Sequence, residues 1–178
     1  MLLSYDLASG QGTEHDYFAC VLFAIDEANR KVYVCDASHS KIPFPDQVET
    51  IKYHAKMNNA DVLIETVGYQ QSIVQYLNIH EPWLNVFSFK PKVNKRMRLE
   101  QVTPHMTNGR VLFCDMLDPT NIKKPEQGDL IEELLDFPIG KHDDLVDAFS
   151  QGMIWIGERF LAAEESNDGR SEVIILGD

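Results

Sequence analysis

The chain has 178 residues, of which 44% are hydrophobic and 25% charged, a composition that suits one globular domain with one full core. No run of about eighteen apolar residues occurs, so a membrane-spanning helix is not expected, and the opening Met1-Leu2-Leu3-Ser4 lacks the basic region and cleavage site of a signal peptide. The net charge of −12 argues against a polyanion partner until its distribution is read: residues 90–110 carry six basic side chains and one acidic one, a basic island in an acidic chain. Cys20, Cys35 and Cys114 are an odd count set in apolar runs, which reads as small buried thiols in a reducing compartment.

In chain order, Leu2 to Leu7 reads as a short strand and Ser9-Gly10-Gln11-Gly12-Thr13 as a turn. Tyr17 to Ile25 is a continuous run of strand formers. Asp26 to Arg30 turns the chain, and Lys31 to Cys35 alternates with period two, giving three antiparallel strands. The period then changes. Pro45 to Asn58 carries Val48, Ile51 and Ala55 at helical spacing after a proline suited to a helix start. Val62-Leu63-Ile64 is a buried strand ending at Glu65, Gln70 to Leu77 a helix, and Trp83 to Phe89 a strand. Asn94 to Met106 is a helix despite Pro104, Arg110 to Phe113 a brief strand, and Gln127 to Leu135 and Asp143 to Gly157 are helices. Strands alternating with helices beyond residue 45 imply parallel crossovers, so the expected class is an α/β mixed sheet, antiparallel first and parallel afterwards. Trp83 and Trp155 are expected in the core.

Four acids stand out by context. Asp6 and Glu65 end strands that this topology sets side by side at the sheet centre, and Asp144 and Asp147, with Asp143 beside them, open the last long helix. For Asp143 and Asp144 a capping role in the first helical turn is the plain alternative. Asp147 is harder to explain that way, since Leu145, Val146, Ala148 and Phe149 surround it and an unpaired buried carboxylate is costly. Clustered carboxylates repel one another unless a cation neutralises them. Mg²⁺ favours such oxygen ligands together with substrate phosphate, and two ions about 4 Å apart suit phosphodiester hydrolysis. No Cys/His spacing suggests zinc.

This order of elements, with Asp6-Leu7-Ala8-Ser9-Gly10-Gln11-Gly12 and Asp16 after it, Val62-Leu63-Ile64-Glu65, Lys95-Arg96 followed by Asn108-Gly109-Arg110-Val111, and Gly140-Lys141-His142-Asp143-Asp144-Leu145-Val146-Asp147-Ala148, resembles the ribonuclease H-like superfamily of metal-dependent nucleases. More narrowly it resembles the nuclease domain of the large terminase subunit of tailed bacteriophages. The resemblance covers about residues 2 to 157; the expected nuclease domain is 1–157, with 158–178 an acidic C-terminal linker or tail and Val173–Leu176 a candidate docking strand. It implies that Asp6, Glu65, Asp144 and Asp147 are catalytic and that Asp6, Glu65 and acids among Asp143, Asp144 and Asp147 hold two Mg²⁺ or Mn²⁺ ions. The implied reaction is endonucleolytic hydrolysis of concatemeric double-stranded DNA during viral genome packaging, in the cytoplasm of a bacterial host. The implied partners are DNA, an ATPase motor domain of the same full-length protein, the portal and the small terminase subunit, with no membrane. The motor's Gly-x-x-x-x-Gly-Lys-[Ser/Thr] is missing, since Gly140-Lys141 is followed by His142, so the chain reads as one domain of a longer protein.

Lys90, Lys92, Lys95, Arg96 and Arg98, with Arg110 beyond them, are the candidate phosphate contacts; a solvated helix start is the plain alternative. Little aromatic interleaving argues against single-strand stacking. His142 is either a proton carrier or a surface residue at a helix start. Gly10 and Gly12 suit a hairpin turn better than a phosphate cradle. The competing functions are a Holliday-junction resolvase or transposase-like nuclease of the same superfamily and, in another class, a non-catalytic metal- or nucleotide-binding module.

Overall fold

The computed structural model describes residues 1–7, 17–68, 70–114 and 125–161. The expected turn with Gly10 and Gly12, Asp16 after it, and the expected tail strand Val173–Leu176 lie outside these residues. The elements run β1 (Leu2–Asp6), β2 (Phe18–Asp26), β3 (Lys31–Ser40), α1 (Phe44–Asn58), β4 (Asp61–Glu65), α2 (Gln70–His80), β5 (Val86–Phe89), α3 (Lys95–Thr107), β6 (Val111–Phe113), α4 (Pro125–Asp136) and α5 (Asp144–Ile156), which passes into a π-helical turn, Gly157–Leu161. The strands form one sheet in the order β5-β4-β1-β2-β3-β6. The first three strands pair antiparallel, whereas β4 joins β1, β5 joins β4 and β6 joins β3 in parallel. This is the mixed sheet that the switch from period two to helical spacing implies.

Both faces are covered, which is why β2 reads as an unbroken apolar run. Leu3, Tyr5 and Leu7 of the β1 segment, Val62 and Ile64 of β4, Ile51 and Ala55 of α1 and Ile73, Val74 and Leu77 of α2 share one core. Leu2, Leu63, Ala19, Val21 and Phe23 share the other with Val102 of α3, Leu130 of α4 and most of α5. Within α5 every residue from Leu145 to Ile156 except Ile154 is buried. Gly152 sets its closeness to the sheet: a Cβ there would stand 2.5 Å from a ring carbon of Phe23 and 3.0 Å from the Cβ of Ser4. Leu161 of the π-helical turn is buried in the same core.

Two elements differ from the sequence expectation. β3 runs on to Ser40 rather than stopping at Cys35, because its polar far half keeps the backbone ladder to β2 as far as Phe18 opposite Ser40. Trp83 lies before β5 rather than in it and is 51% exposed, its indole Nε1 donating to Glu81 Oε2 at 2.7 Å. Trp155 is buried. Among the described residues no helix is long and apolar enough to cross a membrane.

Candidate active site

The site begins with strand register. Tyr5 of β1 lies opposite Ile64 of β4 in a parallel pair, so Asp6 and Glu65 come next on neighbouring strands. Side chains alternate along strands. Tyr5 and Ile64 point to the α1/α2 core, which turns Asp6 and Glu65 to the opposite face, beneath α5. The backbone on both sides of Asp6 is clamped by buried amides: Gln151 Nε2 of α5 donates to Tyr5 O at 2.7 Å, and Gln70 Nε2 of α2 donates to Leu7 O at 2.9 Å. Neither glutamine was singled out from the sequence, although Gln151 within the apolar run of α5 is the kind of residue that needs a buried partner.

The helix that faces these strand ends has an unusual start. Asp143 occupies the position before the first helical residue but makes no capping hydrogen bond. The amides of Leu145 and Val146 donate instead to Glu133 Oε2 of α4, at 3.0 and 3.3 Å. A remote carboxylate therefore takes the capping role expected of Asp143 or Asp144. Burial pushes the Glu133 carboxyl up to about 7, against the pull of those two amides.

Two cations from α3 fill the space between the acids. Arg98 donates from Nη1 to Glu65 Oε2 at 2.8 Å and from Nη2 to Asp147 Oδ1 at 2.5 Å, tying β4 to α5. Lys95 Nζ contacts Asp143 Oδ1 at 2.9 Å and Asp147 Oδ2 at 2.5 Å. Both oxygens of Asp147, a residue only 3% exposed, are thus held by positive charge. Arg98 was expected on a DNA-facing basic surface, and here the structure corrects the expectation. Its side chain is turned inward and the residue is 3% exposed, because two buried carboxylates supply its counter-charge. Lys90, Lys92 and Arg96 do remain exposed, Arg96 beside Glu100 one turn along α3, and Arg110 is half-buried just before β6.

Asp6 makes the strongest electrostatic statement. Burial pushes its carboxyl well up, and the charges of Asp147, Glu65 and Asp144 push it further, with Lys95 opposing. Asp144 is raised by burial and by Asp143, against Lys95 and His142. Burial also raises Asp147, against Lys95 and Arg98. Asp6 thus feels the charges of three acids that lie as far along the chain as Asp147. Such hard oxygen donors, short of positive charge, are chemically suited to Mg²⁺ or Mn²⁺. Among the described residues, however, no three His, Cys, Asp or Glu side chains converge closely enough to hold an ion in this arrangement. Lys95 and Arg98 hold both oxygens of Asp147 and one of Glu65. His142 stands edge-on to Tyr17, ring centroids 5.2 Å apart, and Tyr17 stacks on His39 at 4.6 Å.

No protein-family profile and no curated protein matches the sequence. Solved structures do match in shape. The large terminase nuclease from thermophilic phage G20c, with bound zinc, is similar over 84% of this chain and 77% of its own, with 19% identity and a TM-score of 0.58. The human cytomegalovirus terminase nuclease domain, soaked with manganese, is similar over 86% of this chain and 81% of its own, with 11% identity and a TM-score of 0.56. The fowlpox virus resolvase in complex with Holliday-junction DNA covers 88% of this chain and 97% of its own, with 15% identity and a TM-score of 0.52. Strand order, the mixed parallel and antiparallel pairing, and these likenesses together establish that the chain has a ribonuclease H-like fold.

Proposed function

We propose that this chain is a divalent-metal-dependent endonuclease that cuts double-stranded DNA, serving as the nuclease domain of a terminase that trims concatemers during viral genome packaging. The observation that carries the reading is the placement of Asp6 and Glu65 at adjacent strand ends, with Glu65 tied through Arg98 to Asp147 of α5. Two strand ends and one helix start, far apart in the chain, supply these oxygen donors. Asp6, Glu65, Asp144 and Asp147, with Asp143 at the margin, are the residues that would hold Mg²⁺ or Mn²⁺. Such ions supply Lewis-acid stabilisation of charge at the scissile phosphate.

The chain's own residues do the rest. Gln151 and Gln70 fix the backbone that carries Asp6. Glu133 fixes the amides at the start of α5, so that Asp144 and Asp147 keep their aim. Exposed Lys90, Lys92 and Arg96 are available to phosphates along the duplex, a contact that is local and weakens with salt.

A second reading within the same chemistry is a Holliday-junction resolvase. The similarity to the fowlpox virus resolvase over nearly its whole chain favours it. One experiment separates the readings. The purified protein is incubated with supercoiled plasmid, linear duplex and a four-way junction, in Mn²⁺, Mg²⁺ or chelator. The terminase reading expects cleavage of plasmid and linear duplex without junction preference, abolished by chelator and by Asp6→Asn. Junction-selective, symmetric cleavage would replace it with the resolvase reading, and no cleavage of any substrate under any metal would remove both.

A further inference from the structure

The two cations in the site differ in one respect that matters. Arg98 is 3% exposed and bridges Glu65 to Asp147, and its Nε is buried without a hydrogen-bond partner. Withdrawing this guanidinium would leave it buried and uncompensated, which is strongly unfavourable. The Lys95 side chain, in the first turn of α3, is 46% exposed. Its flexible stem lets the ammonium move into water with little loss of solvation. It holds the second oxygen of Asp147, the one Arg98 does not take, together with Asp143.

We propose that Lys95 is an exchangeable counter-ion that competes with the divalent cation for Asp147, while Arg98 is a fixed one that stays when the cation binds. This rests on the metal-dependent reading above and specifies how that site is held without its ion. The ammonium keeps Asp147 and Asp143 neutralised and the start of α5 seated against α3. With Lys95 swung away, one Asp147 oxygen would be open to help hold Mg²⁺ or Mn²⁺, and the ammonium would be available to a phosphate oxygen. Metal affinity is thereby set lower than the carboxylates alone would give.

The test is calorimetric titration of Mn²⁺ into wild type, Lys95→Gln, Lys95→Met and Arg96→Gln, with Asp6→Asn as the site control and circular dichroism to confirm folding. Removing a competing unit charge within hydrogen-bond distance of the ligand is expected to tighten Mn²⁺ binding by about tenfold or more in both Lys95 variants. Arg96→Gln, three-quarters exposed on the same helix turn and paired with Glu100, is expected to leave it unchanged. Unchanged or weaker Mn²⁺ binding in folded Lys95 variants, with wild type still binding through Asp6, overturns the exchange and leaves the metal site standing. Failure of wild type and all variants to bind Mn²⁺ overturns both.

Discussion

The two faces of the central sheet are made by alternate residues of the same strands, yet they carry different physics. On the α1/α2 face, Leu3, Tyr5 and Leu7 of the β1 segment enter an apolar core whose main polar event is the Tyr5 hydroxyl beside His54 Nδ1 at 3.1 Å. On the α5 face, the alternate positions Leu2, Ser4 and Asp6 lead from the core to a cluster of five carboxylates and two cations. One face stabilises the fold by burying apolar surface. The other gathers groups that repel, and it holds them by capping, by buried amides and by salt bridges from α3. Glu65, Asp143 and Asp147 are tied to α3 through Arg98 and Lys95, so damage should differ sharply between faces.

The largest effect expected on stability is at Arg98. Arg98→Met leaves Glu65 and Asp147 without their shared guanidinium, and breaking such a buried pair costs about 3–5 kcal/mol, measurable by urea unfolding without metal. A loss below about 1 kcal/mol would mean the pair is solvated. Asp147→Asn is expected to destabilise for the same reason, whereas relief of carboxylate repulsion alone would raise its melting temperature.

Next comes pH. Glu133 has an ordinary value of 4.5 and sits at about 7 in the folded protein, so the folded state holds a proton that the unfolded state has lost. Stability is then greatest below the unfolded value and falls as pH rises through the folded one, by at most about 3 kcal/mol. Asp6, Asp144 and Asp147 are raised and act in the same direction. Unfolding free energy without metal should therefore drop from pH 5 to pH 8, and Glu133→Gln should flatten the slope. A rise with pH would show that these acids are ionised and well compensated when folded.

Gly152→Ala forces a methyl group against Phe23 and Ser4, where over-packing typically costs about 1–3 kcal/mol. Because Gly152 lies two turns beyond Asp144, the same change should also lower cleavage by shifting α5 on the sheet. The smallest effect belongs to the apolar face: Tyr5→Phe removes the hydroxyl's contacts with His54 and Cys20, about 0.5–1.5 kcal/mol for a net hydrogen bond, with no change in cleavage. An activity loss there would mean that the faces are coupled more tightly than their separate cores suggest.

Much of this was legible in the residues. Period two followed by helical spacing yields antiparallel strands first and parallel ones after, and that topology sets β1 beside β4, so Asp6 and Glu65 read as neighbours from the sequence. Asp147 was marked by an apolar setting that offers a carboxylate no local partner. What could not be read depends on contacts between distant elements. Arg98 lies in a run of basic residues that reads as solvated, and only the arrival of Glu65 and Asp147 draws it inward. The cap of α5 comes from Glu133, twelve residues before Leu145 and on another helix. The last residues of β3 are polar and join the sheet through backbone pairing, which leaves no hydrophobic period to detect. Trp83 stays exposed because Glu81 satisfies its indole at the surface.

The central claim is that the carboxylates at the end of β1, the end of β4 and the start of α5 form one cation-requiring hydrolytic centre. Titrating Mn²⁺ into a plasmid-nicking assay with wild type and folded Asp6→Asn tests it most directly. Wild type is expected to nick the plasmid only with metal, and the variant not at all at any Mn²⁺ concentration. Nicking by Asp6→Asn at the wild-type rate, or nicking by wild type that survives chelation, would contradict it.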